Sequence, residues 1–96
     1  MHVVIRTYYG KDTQKLFDIG EQHAEELQSL MRAVAGLVSY TLARDSRGGF
    51  AVTVCQNQRG INQSVKQARK FLTKYAPELS LAAMQITEGK VITHVK

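Results

Sequence analysis

The stretch from Gly36 to Gln56 constrains this chain more than any other. Within it, two alternating strands flank an Asp45-Ser46-Arg47-Gly48-Gly49 turn. On each outer side of this hairpin the apolar period changes from two to about 3.6, the change from strand to helix. A hairpin entered from one helix and left through another reads as two β-α-β halves joined in the middle.

The flanking segments complete the pattern. Val3 to Tyr9 alternates as a first strand, and Gly10-Lys11 breaks it. Asp12 or Thr13 is positioned to cap a helix. That helix carries Leu16, Phe17, Ile19, Ala24, Leu27, Leu30, Met31 and Val34 on its apolar face and ends at Gly36. Gly20 inside it predicts close packing or a small bend. Asn62 can cap the second helix, whose stripe is Ile61, Val65, Ala68, Leu72 and Tyr75, and Pro77 stops it. The tail from Leu81 to Val95 reads as a strand interrupted at Glu88-Gly89, where a bulge or turn is expected. The fold class expected is α+β: a ferredoxin-like βαββαβ chain, 1–96 as one domain, with an antiparallel sheet and two helices on one face.

Alternation divides the strand residues into two sets. Val3, Ile5, Val38, Tyr40, Leu42, Phe50, Val52 and Val54 form the more apolar set, expected to meet the helices. The other set, with Val4, Arg6, Tyr8, Ser39, Thr41, Ala43, Ala51, Thr53 and Cys55, is small and nearly uncharged. A face of that kind suits a second sheet packed about 10 Å away, so a homodimer through sheet faces is expected.

Composition narrows the class of protein. The single Cys55 excludes an intrachain disulfide and a cysteine-based zinc cluster. No apolar run approaches the roughly 20 residues of a membrane span, and the start does not read as a signal peptide, so a cytoplasmic protein without membrane contact is expected. The net charge of +5 is unevenly placed. Asp12, Asp18, Glu21, Glu25 and Glu26 gather in the first helical region, while Arg59, Lys66, Arg69, Lys70 and Lys74 gather around the second. Lys66, Lys70 and Lys74 form a stripe that reads either as a phosphate-attracting face or as an ordinary solvated one.

The residues Gly36-Leu37-Val38-Ser39-Tyr40, the hairpin with Val52-Thr53-Val54, and the ending Glu88-Gly89-Lys90-Val91-Ile92 resemble the antibiotic biosynthesis monooxygenase-like (ABM-like) group of the dimeric α+β barrel superfamily. The likeness covers nearly the whole chain and is closest to small bacterial members. It implies a homodimeric barrel holding a small apolar or aromatic molecule between sheet and helices. It also implies that any reaction is a cofactor-independent oxidation or isomerisation, so no cofactor is expected. Members that degrade haem rely on a tryptophan, an asparagine and a histidine of the second helix. This chain has no Trp, no His between Asn62 and Tyr75, and no Asn in its first strand, so haem breakdown is not expected.

Five residues are the candidates for a site. His23, one position from the apolar stripe, can act as an acid or base, or be a boundary histidine. Tyr40 can orient a phenolic ligand, or be a core aromatic with a satisfied hydroxyl. Leu16, Leu27 and Phe50 would line the pocket between them. Arg6 and Tyr8, on the opposite face by this reading, can bind an anion or bridge a dimer. His2 and His94 have no metal-ligand spacing, so no metal site is expected. A non-catalytic binding or interaction module is the alternative function. An RNA-recognition domain comes third, because Val52 stands where its second stacking aromatic is required and only Phe50 fits.

Overall fold

The alternation that begins near the first residue makes strand β1 (His2–Tyr9), the central partner of two other strands. A computed structural model describes residues 1–77 and 85–96. After β1 come helices α1 (Lys11–Gln22) and α2 (Ala24–Arg32), then the hairpin strands β2 (Leu37–Arg44) and β3 (Gly48–Cys55). Helix α3 (Gln58–Tyr75) and strand β4 (Gln85–Lys90) follow. The four strands lie in the order β2-β3-β1-β4, every neighbouring pair antiparallel. This is the ferredoxin-like α+β arrangement expected from the sequence: each helical crossover skips one strand, and the helices cover one sheet face.

Several local expectations are corrected. The first helix does not run unbroken to Val34; it breaks at His23, whose backbone leaves the helical region (φ −120°, ψ 31°). Gly20 is not the bend but the close contact, since a Cβ there would stand 3.2 Å from Leu42 Cδ2. Neither Asp12 nor Thr13 caps α1: Gly10 occupies that position, and the Thr13 hydroxyl donates to the Gly10 carbonyl at 2.6 Å. Helix α3 starts one turn before Asn62, where Asn57 Oδ1 accepts from the Gly60 amide at 3.1 Å. Strand β4 passes through Glu88 and Gly89 without a bulge, pairing them with Val4 and Val3. The expected beginning of that strand at Leu81 lies outside the described residues.

The assignment of the sheet faces is the main correction. Tyr40 pairs with Thr53, Leu42 with Ala51 and Arg44 with Gly49, so residue numbers across this hairpin sum to an odd value. Residues of opposite parity therefore share a face. The helix side carries Tyr40 and Leu42 as expected, but with Ala51, Thr53 and Cys55, and with Val4, Arg6 and Tyr8 of β1. The outer side carries Val3, Ile5 and Thr7, then Ser39, Thr41 and Ala43, then Phe50, Val52 and Val54. A bulge between Leu37 and Ser39 adds to the mismatch by turning Leu37 towards the helices.

Small residues on the helix side let the helices approach. Val4, Cys55, Val34 and Ile61 form one buried cluster at the start of α3, where a Cβ on Gly60 would come within 2.9 Å of Cys55 Cβ. Leu27, Met31 and Phe71 form a second between α2 and α3, with Tyr40, Leu42 and Leu72 packed against it. Burying a side chain such as Phe71 contributes ~1.5–3 kcal/mol. Across these helices Lys74 Nζ meets Glu26 Oε1 at 3.0 Å, so the end of the lysine stripe is partly neutralised by the acidic helix.

Candidate functional site

The helices do not close completely over the sheet. A cavity of about 310 Å³ remains between the sheet and α3. Arg6 and Tyr8 of β1, Tyr40 of β2, and Ala51 and Thr53 of β3 reach it from the sheet. Val65, Ala68, Arg69 and Leu72 of α3 roof it, and Met31 of α2 and Ile86 of β4 also line it. Alternation explains the sheet side: Arg6 and Tyr8 are two apart on one strand, and Ala51, paired with Arg6, has too short a side chain to fill the space.

Tyr40 forms a common wall. On its other side lies a recess of about 360 Å³ between α1, α2 and the edge strand β2, lined by Phe17, Leu27, Leu42 and Arg44 among others. The charges there are already used on one another: Arg44 Nη1 bonds Asp18 at 3.1 Å and Glu21 at 3.0 Å. In the α3 cavity they are not. Among the described residues, Arg6 and Arg69 make no ion pair and no carboxylate lines that cavity. The α3 cavity is therefore the better candidate for a ligand.

Its two phenols are electrostatically linked. Burial pushes Tyr40 up to about 12, the neighbouring Tyr8 adds to this, and Arg6 partly offsets it. Burial likewise raises Tyr8, and again Arg6 pulls the other way. Both hydroxyls are thus protonated at neutral pH and act as hydrogen-bond donors rather than bases. The Tyr8 ring is held edge-on by Phe17, with centroids 6.3 Å apart. The Ser64 hydroxyl is committed to the Ile61 carbonyl at 2.7 Å.

The sequence candidates separate in the structure. Tyr40, Leu16 and Leu27 do converge, around a void of about 50 Å³ that Tyr8 also lines. His23 does not join them. Its ring stacks on Tyr75 at 3.8 Å with 14° between the planes and meets the edge of Phe71, outside the cavity. Phe50 does not join them either, because the odd register turns it to the outer face. Arg6 and Tyr8 are legible in the sequence as a charged and a phenolic residue on one strand face; the structure turns that face to the helices rather than away from them. Thr53 and Arg69 were not singled out as site residues, and only the register and the α3 packing bring them to the cavity. Cys55 is buried and its thiol is pushed up by that burial. Among the described residues no three His, Cys, Asp or Glu side chains cluster as metal ligands, and no helix is long and apolar enough to cross a membrane.

No family model matches the chain, and no curated protein is significantly similar to it in sequence. Solved structures do resemble it. A dimeric ferredoxin-like protein from an uncultured marine organism superposes with a TM-score of 0.62 at 14% identity, over 99% of this chain and 95% of that one. A mutant of MhuD with two manganese protoporphyrin IX molecules bound per active site gives 0.62 at 12% identity, over 99% and 97%. An EthD-family protein from Bacillus halodurans gives 0.57 at 14% identity, over 96% and 99%. Near-complete coverage at such low identity is a statement about architecture: this chain has the ferredoxin-like α+β fold of these proteins.

Proposed function

We propose that this protein is a homodimeric α+β barrel that binds a small molecule with a flat apolar body in the cavity between its sheet and α3. The carrying observation is the cavity itself: about 310 Å³, with Val65, Ala68 and Leu72 of α3 facing two phenols and a guanidinium at the sheet. That volume lies at the lower end of the ~300–1,000 Å³ usual for small-molecule sites. The dimer part rests on the outer sheet face, whose positions on the four strands carry no charged residue. Ile5 on that face is 36% exposed in the isolated chain. A dimeric neighbour of the same fold agrees with this reading.

Binding is favoured over proton-transfer catalysis because the cavity lining offers no carboxylate, imidazole or thiol among the described residues. The second reading is the cofactor-independent oxygenase or isomerase chemistry implied by the ABM-like resemblance. It would draw on the reactivity of the bound molecule, with Tyr8 and Tyr40 orienting it. A porphyrin is not the proposed ligand, although one neighbour binds it: α3 has no histidine to ligate the iron, and His23 is stacked on Tyr75.

The test is a thermal-shift titration with a neutral naphthalene derivative and, separately, with hemin. Saturable stabilisation by the first, one site per chain, is expected from mass action. Hemin is expected to give no stoichiometric Soret shift. A tight one-to-one hemin complex, or no response to any aromatic probe, overturns the reading.

A further inference from the structure

We propose that the natural ligand of this cavity is an aromatic carboxylate, held by its carboxylate group at Arg6 beneath α3. The inference rests on the binding reading above and adds the charge and chemical class of the ligand.

Three observations carry it. First, Arg6 is half-buried on the helix side of the central strand and has no hydrogen bond or ion pair among the described residues. Other basic groups of this chain near a carboxylate use it: Arg44 holds Asp18 and Glu21, and Lys74 holds Glu26. Among the described residues, the nearest acid by strand register is Glu88, which stands opposite Val4 rather than Arg6, is exposed, and forms no ion pair. A partly desolvated guanidinium without a counter-charge is costly, and a ligand carboxylate meets its planar fork in two parallel bonds.

Second, the neighbours of Arg6 suit an anionic oxygen. Tyr8 is two residues along the same strand face, and Tyr40 is near enough to feel the same guanidinium. Both present protonated hydroxyls, which can donate to a carboxylate but cannot compete with it for Arg6 as anions. Third, the remaining walls fit a ring. Ala51, Ala68, Val65, Leu72 and Ile86 bring no charge, and Arg69, exposed on α3, also reaches the cavity. Arg69 belongs to an exposed basic strip with Lys66 and Lys70 on a helix that contains no acidic residue. Such a strip raises the local concentration of anions beside the cavity.

The experiment compares 2-naphthoate with 2-naphthamide, nearly the same shape with and without the charge, by isothermal titration of the wild type, Arg6→Met and Arg69→Met. The wild type is expected to bind naphthoate about tenfold or more tighter than naphthamide. Arg6→Met should abolish that preference, bringing naphthoate to no better than the affinity of naphthamide. Arg69→Met, on the exposed helix surface, should weaken naphthoate by only a few-fold. Raising salt on the wild type should weaken naphthoate and leave naphthamide unmoved, an arm that needs no variant. Equal affinities in the wild type, a salt-insensitive naphthoate, or a preference that survives Arg6→Met would overturn the carboxylate assignment while leaving the cavity reading standing. If neither compound binds, the cavity reading itself fails and takes this one with it.

Discussion

The Tyr75 hydroxyl donates to Glu26 Oε1 at 2.6 Å, tying the last turn of α3 to the first turn of α2. Lys74 reaches the same carboxylate at 3.0 Å, and His23 lies flat against the Tyr75 ring. The break in the first helix thus sits against an aromatic and ionic clasp, which explains how a single apolar stripe in the sequence becomes two helices.

That clasp makes stability pH-dependent in a defined direction. The Tyr75 hydrogen bond, then that of Lys74, hold the Glu26 carboxyl below its ordinary range. A depressed folded value contributes stability that is present above the ordinary carboxylate range and is lost as pH falls through the folded value. Chemical denaturation of the wild type and Glu26→Gln should show a gap at neutral pH that closes on acidification. A gap independent of pH would mean that the carboxylate charge is not linked to folding.

The outer sheet face should be the dimer interface. Sedimentation at micromolar concentration is expected to give about twice the 10.7 kDa chain mass. Val52→Lys, at the centre of the row Ile5, Val52 and Thr41, should give monomers, because dimerisation would bury an unpaired charge. A dimer that persists in Val52→Lys would place the interface elsewhere.

Gly49 marks where α1 touches the sheet most closely. A Cβ there would collide with the Ala43 carbonyl oxygen and stand 2.5 Å from the Phe17 ring. Gly49→Ala should therefore destabilise the fold by ~1–3 kcal/mol, read by denaturant titration. An effect near zero would show that Phe17 yields easily.

The Tyr40 hydroxyl has no hydrogen-bond partner among the described residues, so its removal should leave folding nearly unchanged. Tyr40→Phe is expected to weaken a carboxylate or hydroxyl-bearing ligand by ~0.5–1.5 kcal/mol with little change in melting temperature. A comparable loss of stability without ligand would make Tyr40 a structural residue instead.

The order and type of the elements were legible in the sequence because they follow from short-range periodicity. Alternation in Val3 to Tyr9, the three-four spacing from Leu16 to Met31 and the hairpin around Gly48-Gly49 each depend only on near neighbours. The ferredoxin-like topology followed, since few connections satisfy that order. Of the candidate residues, Tyr40, Leu16 and Leu27 lie around one small void, and of these Tyr40 alone also lines the α3 cavity.

Register was not legible, and it decided the site. Alternation divides a strand into two faces without saying which one meets the helices, and the more apolar set was assigned there. The pairing of Arg44 with Gly49 reverses parity across the hairpin, and β1 follows β3. A one-residue change of register moves every side chain to the other face. This step carried Phe50 out to the uncharged surface and brought Arg6 and Tyr8 in beside Tyr40. His23 was decided in the same way by a long-range contact, its stacking on Tyr75 fifty-two positions later in the chain. Sequence determined which elements form, because that depends on local spacing; tertiary structure decided which faces and rings meet, because that depends on pairing between distant segments.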